Sequence, residues 1–278
     1  MIFMRRFCIL SMAFMFTCLS CISCRIRIAI DDNKVVTTGT YSDTGGDYQE
    51  MRGDLGNFNA LTFSGPFNVY YVQSDTIGVL IEGKKEIFNK VITTVEKGTL
   101  NVRLKPGEYH NLVLRVTVFS PAMDNVKVVG SGNFYDRLGH ISNKDVSLSS
   151  LGSGDIVLGN LSCSGFKGNS SGSGDIKVES LSCSDFVMKT LGSADLRVES
   201  LEVSGDASLS TSGSGDLSVD NASIKNNVIL RTLGSGSIRI NGSCMEVDAS
   251  SSGSGDIKGN LTYRNIQRSE RGSGSISL

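Results

Sequence analysis

Gly152-Ser-Gly-Asp-Ile156, Gly172-Ser-Gly-Asp-Ile176, Gly192-Ser-Ala-Asp-Leu196 and Gly213-Ser-Gly-Asp-Leu217 are copies of one motif. Further copies begin at Gly130, Gly234, Gly253 and Gly272, so successive starts lie 22, 20, 20, 21, 21, 19 and 19 residues apart. A period near twenty in a Gly-rich sequence with short β-type runs predicts a solenoid, because each repeat buries its apolar face only by stacking on the next.

The columns of the repeat follow from the same alignment. Four residues after the first Gly stand Phe134, Ile156, Ile176, Leu196, Leu217, Ile238, Ile257 and Ile276. Two further on stand Leu158, Val178, Val198, Val219, Ile240 and Leu278, broken by Gly259. Alternation at period two places both columns on one strand face. A second strand is expected to carry Leu161, Leu181 and Leu201, and a third Phe166, Phe186, Ala207, Val228, Val247 and Ile266. The fold class is therefore all-β: a parallel β-helix (β-solenoid) with roughly twenty-residue rungs, and a right-handed coil is expected. Leu151, Ser171, Leu191, Ser212, Leu233 and Ser252, which precede the motifs, alternate in a way the repeat does not explain.

Upstream, Phe67-Asn-Val-Tyr-Tyr-Val72, Thr99-Leu-Asn-Val-Arg-Leu104 and Leu112-Val-Leu-Arg-Val-Thr-Val-Phe119 are β-branched and short. Residues 57–129 are expected to form the first rungs or a cap, and 130–278 the regular rungs. Residues 25–56 are polar and Gly/Thr/Ser-rich, which predicts a flexible tether. Residues 1–24 read as a leader: Arg5 and Arg6 precede an uncharged stretch from Phe7 to Ile22. It closes on Cys18, Cys21 and Cys24, in the manner of a bacterial lipobox, with Cys24 the expected lipidation site and Cys21 the second choice. This implies an exported outer-membrane lipoprotein, at the cell surface or facing the periplasm, held to the membrane through a lipid anchor; an ordinary signal peptide with incidental Cys and a single-pass anchor are the alternatives. Downstream, Cys163, Cys183 and Cys244 are an odd set, which is no disulfide framework. Cys163 and Cys183 share a column with Val203 and Ile224 and read as small buried hydrophobes, a disulfide being the alternative.

The formal net charge of −1 argues against a nucleic-acid partner. His110 and His140 are the only two histidines, and neither sits in a recognisable nucleophile or metal motif. No catalytic residue and no cofactor is assigned. Asp155, Asp175, Asp195, Asp216 and Asp256 fall in one column. Stacked carboxylates repel. They are expected to face water at a turn or to make local Asx-turns, with a bridging calcium as the weaker candidate. The motif glycines Gly152, Gly172, Gly213 and Gly253 are expected to supply positive φ at a tight corner. Lys177, Glu179, Arg197, Glu199 and Lys258 form a polar outward strip that suits a solvated face, a glycan surface or a lyase groove. Trp is absent, which leaves Tyr70, Tyr71, Tyr109 and Tyr135 as stacking groups.

The Gly-Ser-Gly-Asp-Ile rungs, together with Phe58-Asn-Ala-Leu-Thr-Phe-Ser-Gly-Pro-Phe-Asn-Val69 and Glu96-Lys-Gly-Thr-Leu-Asn-Val-Arg-Leu104, resemble the bacterial "putative autotransporter adhesin" family with a head GIN domain. The resemblance spans residues 57 to 278. It implies a parallel β-helix in a Bacteroidetes-type envelope and brings no catalytic residues. No set of amphipathic strands follows the rungs, so an outer-membrane barrel is not expected from this sequence. The leading expectation is a non-catalytic cell-envelope binding protein, an adhesin presenting its β-helix surface to glycan or protein. A periplasmic-facing structural or signalling lipoprotein and a polysaccharide-active enzyme are the alternatives. The final strand, Ser273 to Leu278, presents an edge, which predicts a homo-oligomer.

Overall fold

The computed structural model describes residues 35–38, 41–43 and 47–278. The leader and the lipidation candidates Cys21 and Cys24 lie outside the described residues. The chain is nearly all β, a solenoid of stacked parallel coils with about 21 residues per coil. Its strands form an 11-stranded sheet and a 14-stranded sheet facing each other across one continuous core, and Val35–Thr38 pairs with Gly107–His110 in a separate two-stranded sheet.

A rung has two strands, where the sequence suggested three. The two expected N-terminal strands are one: Ile176–Cys183 runs unbroken through both apolar columns, as do Leu196–Val203 and Leu217–Ile224. The parity of the side chains switches within it. Ile176, Val178, Leu181 and Cys183 are buried, and the consecutive residues Glu179 and Ser180 both point outward. The irregularity changes which residues face inward without breaking the ladder. The shorter strand of each rung, such as Asp185–Thr190, supplies the opposing sheet.

Stacking is in register. Ile156, Ile176, Leu196, Leu217, Ile238, Ile257 and Ile276 pair successively across seven rungs. All but Ile276 are at most 1% exposed. Phe166 and Phe186 stack face to face in the opposing wall, 5.6 Å apart. Cys163 and Cys183 are buried and free, and Cys244 is half-buried and free. The Cys183 thiol is pushed up by its hydrogen bond to Cys163 and by burial.

Between the first and last copies, whose Gly130 and Gly272 do take positive φ, the leading motif glycines serve close approach rather than φ. Gly152, Gly172, Gly213 and Gly253 are not among the positive-φ residues, which corrects the expectation above. An ideal Cβ on Gly172 would lie 2.0 Å from the carbonyl oxygen of Gly152 on the neighbouring rung; on Gly213 the distance is 2.1 Å to Gly192 O. The turns therefore nest backbone on backbone. Gly172→Ala is expected to cost about 1–3 kcal/mol by overpacking. A Cβ on Gly174 would meet Gly154 O at 2.1 Å, but the fold accommodates Ala194 at the same place one rung on, so Gly174→Ala should cost less. Urea denaturation of the two variants checks the order.

Five of these turns are also pinned from inside. Ser150, Ser170, Thr190, Thr211 and Ser251 are buried, and each hydroxyl donates to the carbonyl four residues on, at 2.8–3.1 Å. A buried carbonyl left bare would cost about 1–3 kcal/mol.

At the N-terminal end the order in space departs from the order in the chain. Ala60–Gly65 and Asn68–Gln73 come first in sequence but form the second coil of the stack. Thr99–Leu104 and Leu114–Ser120 stack outside them in parallel. Antiparallel strands then close the end. Gly78–Gly83 pairs with Leu114–Ser120, and Val91–Glu96 with Thr99–Leu104. Tyr48–Arg52, within the stretch expected to be tether, adds antiparallel to Gly78–Gly83. Arg52 bridges the two sheets there, donating to Val91 O at 2.8 Å and Phe88 O at 2.7 Å. The bridge and the antiparallel strands cover an edge that would otherwise template further pairing.

Candidate functional site: the charged face of the larger sheet

The outward face of the 14-stranded sheet gathers most of the residues singled out from the sequence. Three columns run side by side along it. The first is the Asp column, at the turn. The second runs Tyr70, Tyr135, Val157, Lys177, Arg197, Ser218, Arg239 and Lys258, paired rung by rung. The third carries Glu179, Glu199 and Asp220, two residues further along their strands. Arg197 reaches across to Asp220 at 2.5 Å.

The Asp column is a hydrogen-bonded ladder between rungs, rather than a set of local Asx-turns. Asp175 N donates to Asp155 Oδ1 at 2.9 Å, Asp195 N to Asp175 Oδ1 at 2.8 Å, and Asp216 N to Asp195 Oδ1 at 2.9 Å. Ser237 N continues it to Asp216 Oδ1 at 2.7 Å, and Ser275 N to Asp256 Oδ1 at 2.9 Å. The other end is amide: Asp155 N donates to Asn133 Oδ1, and Asn133 N to Asn68 Oδ1. Any short side chain with an acceptor oxygen fits, which explains why Asn and Ser replace Asp in this column. One oxygen of each bonded Asp is thus used by the neighbouring rung. Among the described residues no three His, Cys, Asp or Glu side chains converge as a metal cluster.

Stacking the carboxylates has an electrostatic cost. Burial first, then the charges of Asp155 and Asp195, raise the pKa of Asp175. Asp256 goes the other way, lowered by the Ser275 backbone and hydroxyl donors. A carboxyl whose folded pKa is raised lowers stability above that pKa, and the penalty fades as pH falls through it. Asp175→Asn keeps an acceptor for Asp195 N–H and removes the charge. It is expected to be neutral or stabilising by up to about 1 kcal/mol at pH 7, with the two proteins converging near pH 3. Thermal melts across that range check it.

The tyrosines divide. Tyr71 and Tyr109 are buried and Tyr71 donates to Ser120 O. Tyr70 and Tyr135 stack on each other at 5.1 Å, and the Arg115 guanidinium lies 4.2 Å over Tyr70. Their ring faces are largely covered within the sheet. Burial and a short hydrogen bond to Asp43 push the Tyr70 hydroxyl up to about 12. Tyr41 caps this end of the ladder: its hydroxyl accepts Asn68 N–H at 2.8 Å and donates to Leu114 O at 2.9 Å.

The two histidines are not brought together. His110 is exposed beside Glu108, 3.7 Å away. His140 is buried, its Nδ1 2.5 Å from Asp136 Oδ2, with its ring edge-on to Tyr71. Asp136 Oδ1 and His140 Nε2 are buried with no protein partner. The pair sits four residues apart, a spacing visible in the sequence but not singled out there.

A solenoid with a nested Gly-Ser-Gly-Asp turn and an acceptor ladder is specific enough to compare. The family model described as "Putative auto-transporter adhesin, head GIN domain" matches residues 57–225 and 188–278. The chain belongs to this family. Several solved structures share its fold. A crystal structure of a "putative adhesin" from Parabacteroides distasonis superposes with a TM-score of 0.73 at 17% identity, covering 88% of this chain and 99% of that one. A "putative lipid binding protein" from the same organism gives 0.71 at 24%, with the same coverage. A "putative adhesin" from Parabacteroides merdae gives 0.67 at 19%, again covering 88% and 99%. No curated protein matches the head GIN chain.

Proposed function

We propose that this head GIN protein is a non-catalytic binding protein of the bacterial cell envelope, which presents the charge-striped face of its larger sheet to an extended glycan or protein. The observation that carries the reading is the set of parallel columns: cations at Lys177, Arg197, Arg239 and Lys258 between the Asp ladder and the row Glu179, Glu199 and Asp220. The face is open and repeats about every 4.8 Å. Such a surface suits many weak polar contacts along a chain-like ligand. The family description and the names of the structural relatives support a binding role and an extracellular or envelope location. The leader with Cys24 as lipid anchor belongs to the same proposal. Among the described residues no helix is long and apolar enough to cross a membrane.

The test combines binding and placement. Arg197→Ser/Arg239→Ser is expected to lower binding on a glycan and host-protein array at least tenfold. Its stability should fall by no more than about 0.5 kcal/mol, since both side chains are exposed. Protease treatment of intact cells is expected to digest the protein while a periplasmic marker survives. Unchanged array binding would remove this face as the site. Protection from protease would favour the periplasmic structural or signalling role.

A further inference from the structure

The alternation Leu151, Ser171, Leu191, Ser212, Leu233, Ser252 lies along one edge of the solenoid, just before each Gly-Ser-Gly turn. Leu151, Leu191 and Leu233 are 46%, 62% and 58% exposed. They recur every second rung, about 9.6 Å apart, with serines between them. This column continues to Arg271, which pairs with Ser252. Two residues earlier on each strand runs a neighbouring column with Lys127, Lys189 and Arg231. Two residues later, at the turn, every residue from Ser131 to Ser273 is serine. Across these three columns and eight rungs there are three leucines, four cations and not one Asp or Glu. The chain as a whole carries 28 acids against 27 Lys and Arg, so this edge is sharply set apart. The acids are held elsewhere, in the Asp ladder beyond the turn and in the columns further along the smaller sheet. Among the latter, Asp248 pairs with Arg231 at 3.1 Å.

We infer that this edge is a membrane-facing strip that lies on the surface of a bilayer rich in anionic lipid. Charge selects the occupant. An acid-free row of Lys and Arg is drawn to a negative headgroup layer. Isolated leucines with serine gaps leave room for headgroups between them while the apolar tips reach the acyl boundary. A soluble polyanion would satisfy the cations but would give the leucines no apolar medium. The strip is about 34 Å long across its rungs, so contact would lay the solenoid flat. Its serine column lies two residues before the Asp ladder, but the strip shares no residue with the charged face of the larger sheet, so it does not rest on the proposed ligand site.

The chain contains no Trp, which gives a direct readout. Leu191→Trp in the full chain introduces the sole indole at the strip, and Met245→Trp places it at the opposite turn as a control. With vesicles of phosphatidylcholine and phosphatidylglycerol, the indole at position 191 is expected to shift to the blue and to be quenched by brominated acyl chains. The control indole should do neither, however the rest of the chain holds the vesicle. Adding Lys189→Ser/Arg231→Ser to the Leu191→Trp background should weaken the partition read by that emission about 30-fold, and salt should weaken it further. Leu233→Trp repeats the measurement if the first variant is unstable. The proposal fails if the indole at position 191 is unshifted while the protein sediments with the vesicles. It fails equally if both edges respond alike, if polygalacturonate gives the shift and vesicles do not, or if the shift grows with protein concentration in the absence of lipid.

Discussion

Ile176→Asp is expected to destabilise the solenoid by about 4 kcal/mol or more, enough to unfold a marginal stack. Ile176 is fully buried between Ile156 and Leu196 in the ladder of the larger sheet. Its replacement loses roughly 1.5–3 kcal/mol of apolar burial and adds a carboxylate with no cation inside the coil. The neighbouring residue gives the control. Lys177 points outward, so Lys177→Asp should change stability by no more than about 0.5 kcal/mol. Urea titration of both decides it. Similar small effects would mean that the column does not face the core.

Asp136→Ala is expected to cost about 3–5 kcal/mol, as when one partner of a buried pair is removed. Asp136 and His140 have side chains 0% and 1% exposed, and the bond between them is 2.5 Å long. Losing the carboxylate leaves both imidazole nitrogens buried with no acceptor or donor. The pair is already incompletely satisfied at Asp136 Oδ1 and His140 Nε2. Replacing both partners with apolar groups, as in Asp136→Leu/His140→Phe, should therefore recover most of the loss. A double variant as unstable as the single one would show that packing, rather than the unpaired imidazole, sets the cost.

Much of the architecture was legible because a solenoid writes its fold as a period. The seven-rung Ile/Leu ladder, the inward Phe166 and Phe186 and the outward Lys177 and Arg197 could all be read by aligning the repeats. The family could be read as well, since both the rungs and the segment from Phe58 to Val69 carry it. Other features fell outside that reading for identifiable reasons. The strand from Ile176 to Cys183 looked like two because its inward parity slips at Glu179 and Ser180. A slip in one-dimensional alternation resembles a strand boundary, and only pairing across rungs shows that the backbone continues. The hydroxyl column Ser150, Ser170, Thr190, Thr211 and Ser251 was present in the sequence, but a small polar residue before a Gly-Ser turn looks like part of the loop.

The sequence by itself determined the repeat, the apolar ladders and the family, because each rung must present the same residue types to a neighbour of its own kind. Tertiary structure decided what those residues do between rungs. It turned glycines expected at positive φ into points where one backbone rests on another, with Gly172 against the carbonyl of Gly152. It turned a column of like charges into a ladder in which each Asp accepts an N–H from the next coil. It also placed the chain's first coil second in the stack, with residues 74–120 folded back outside it. These depend on contacts between residues about twenty or more positions apart, and their distances are set by the strand spacing rather than by any local pattern.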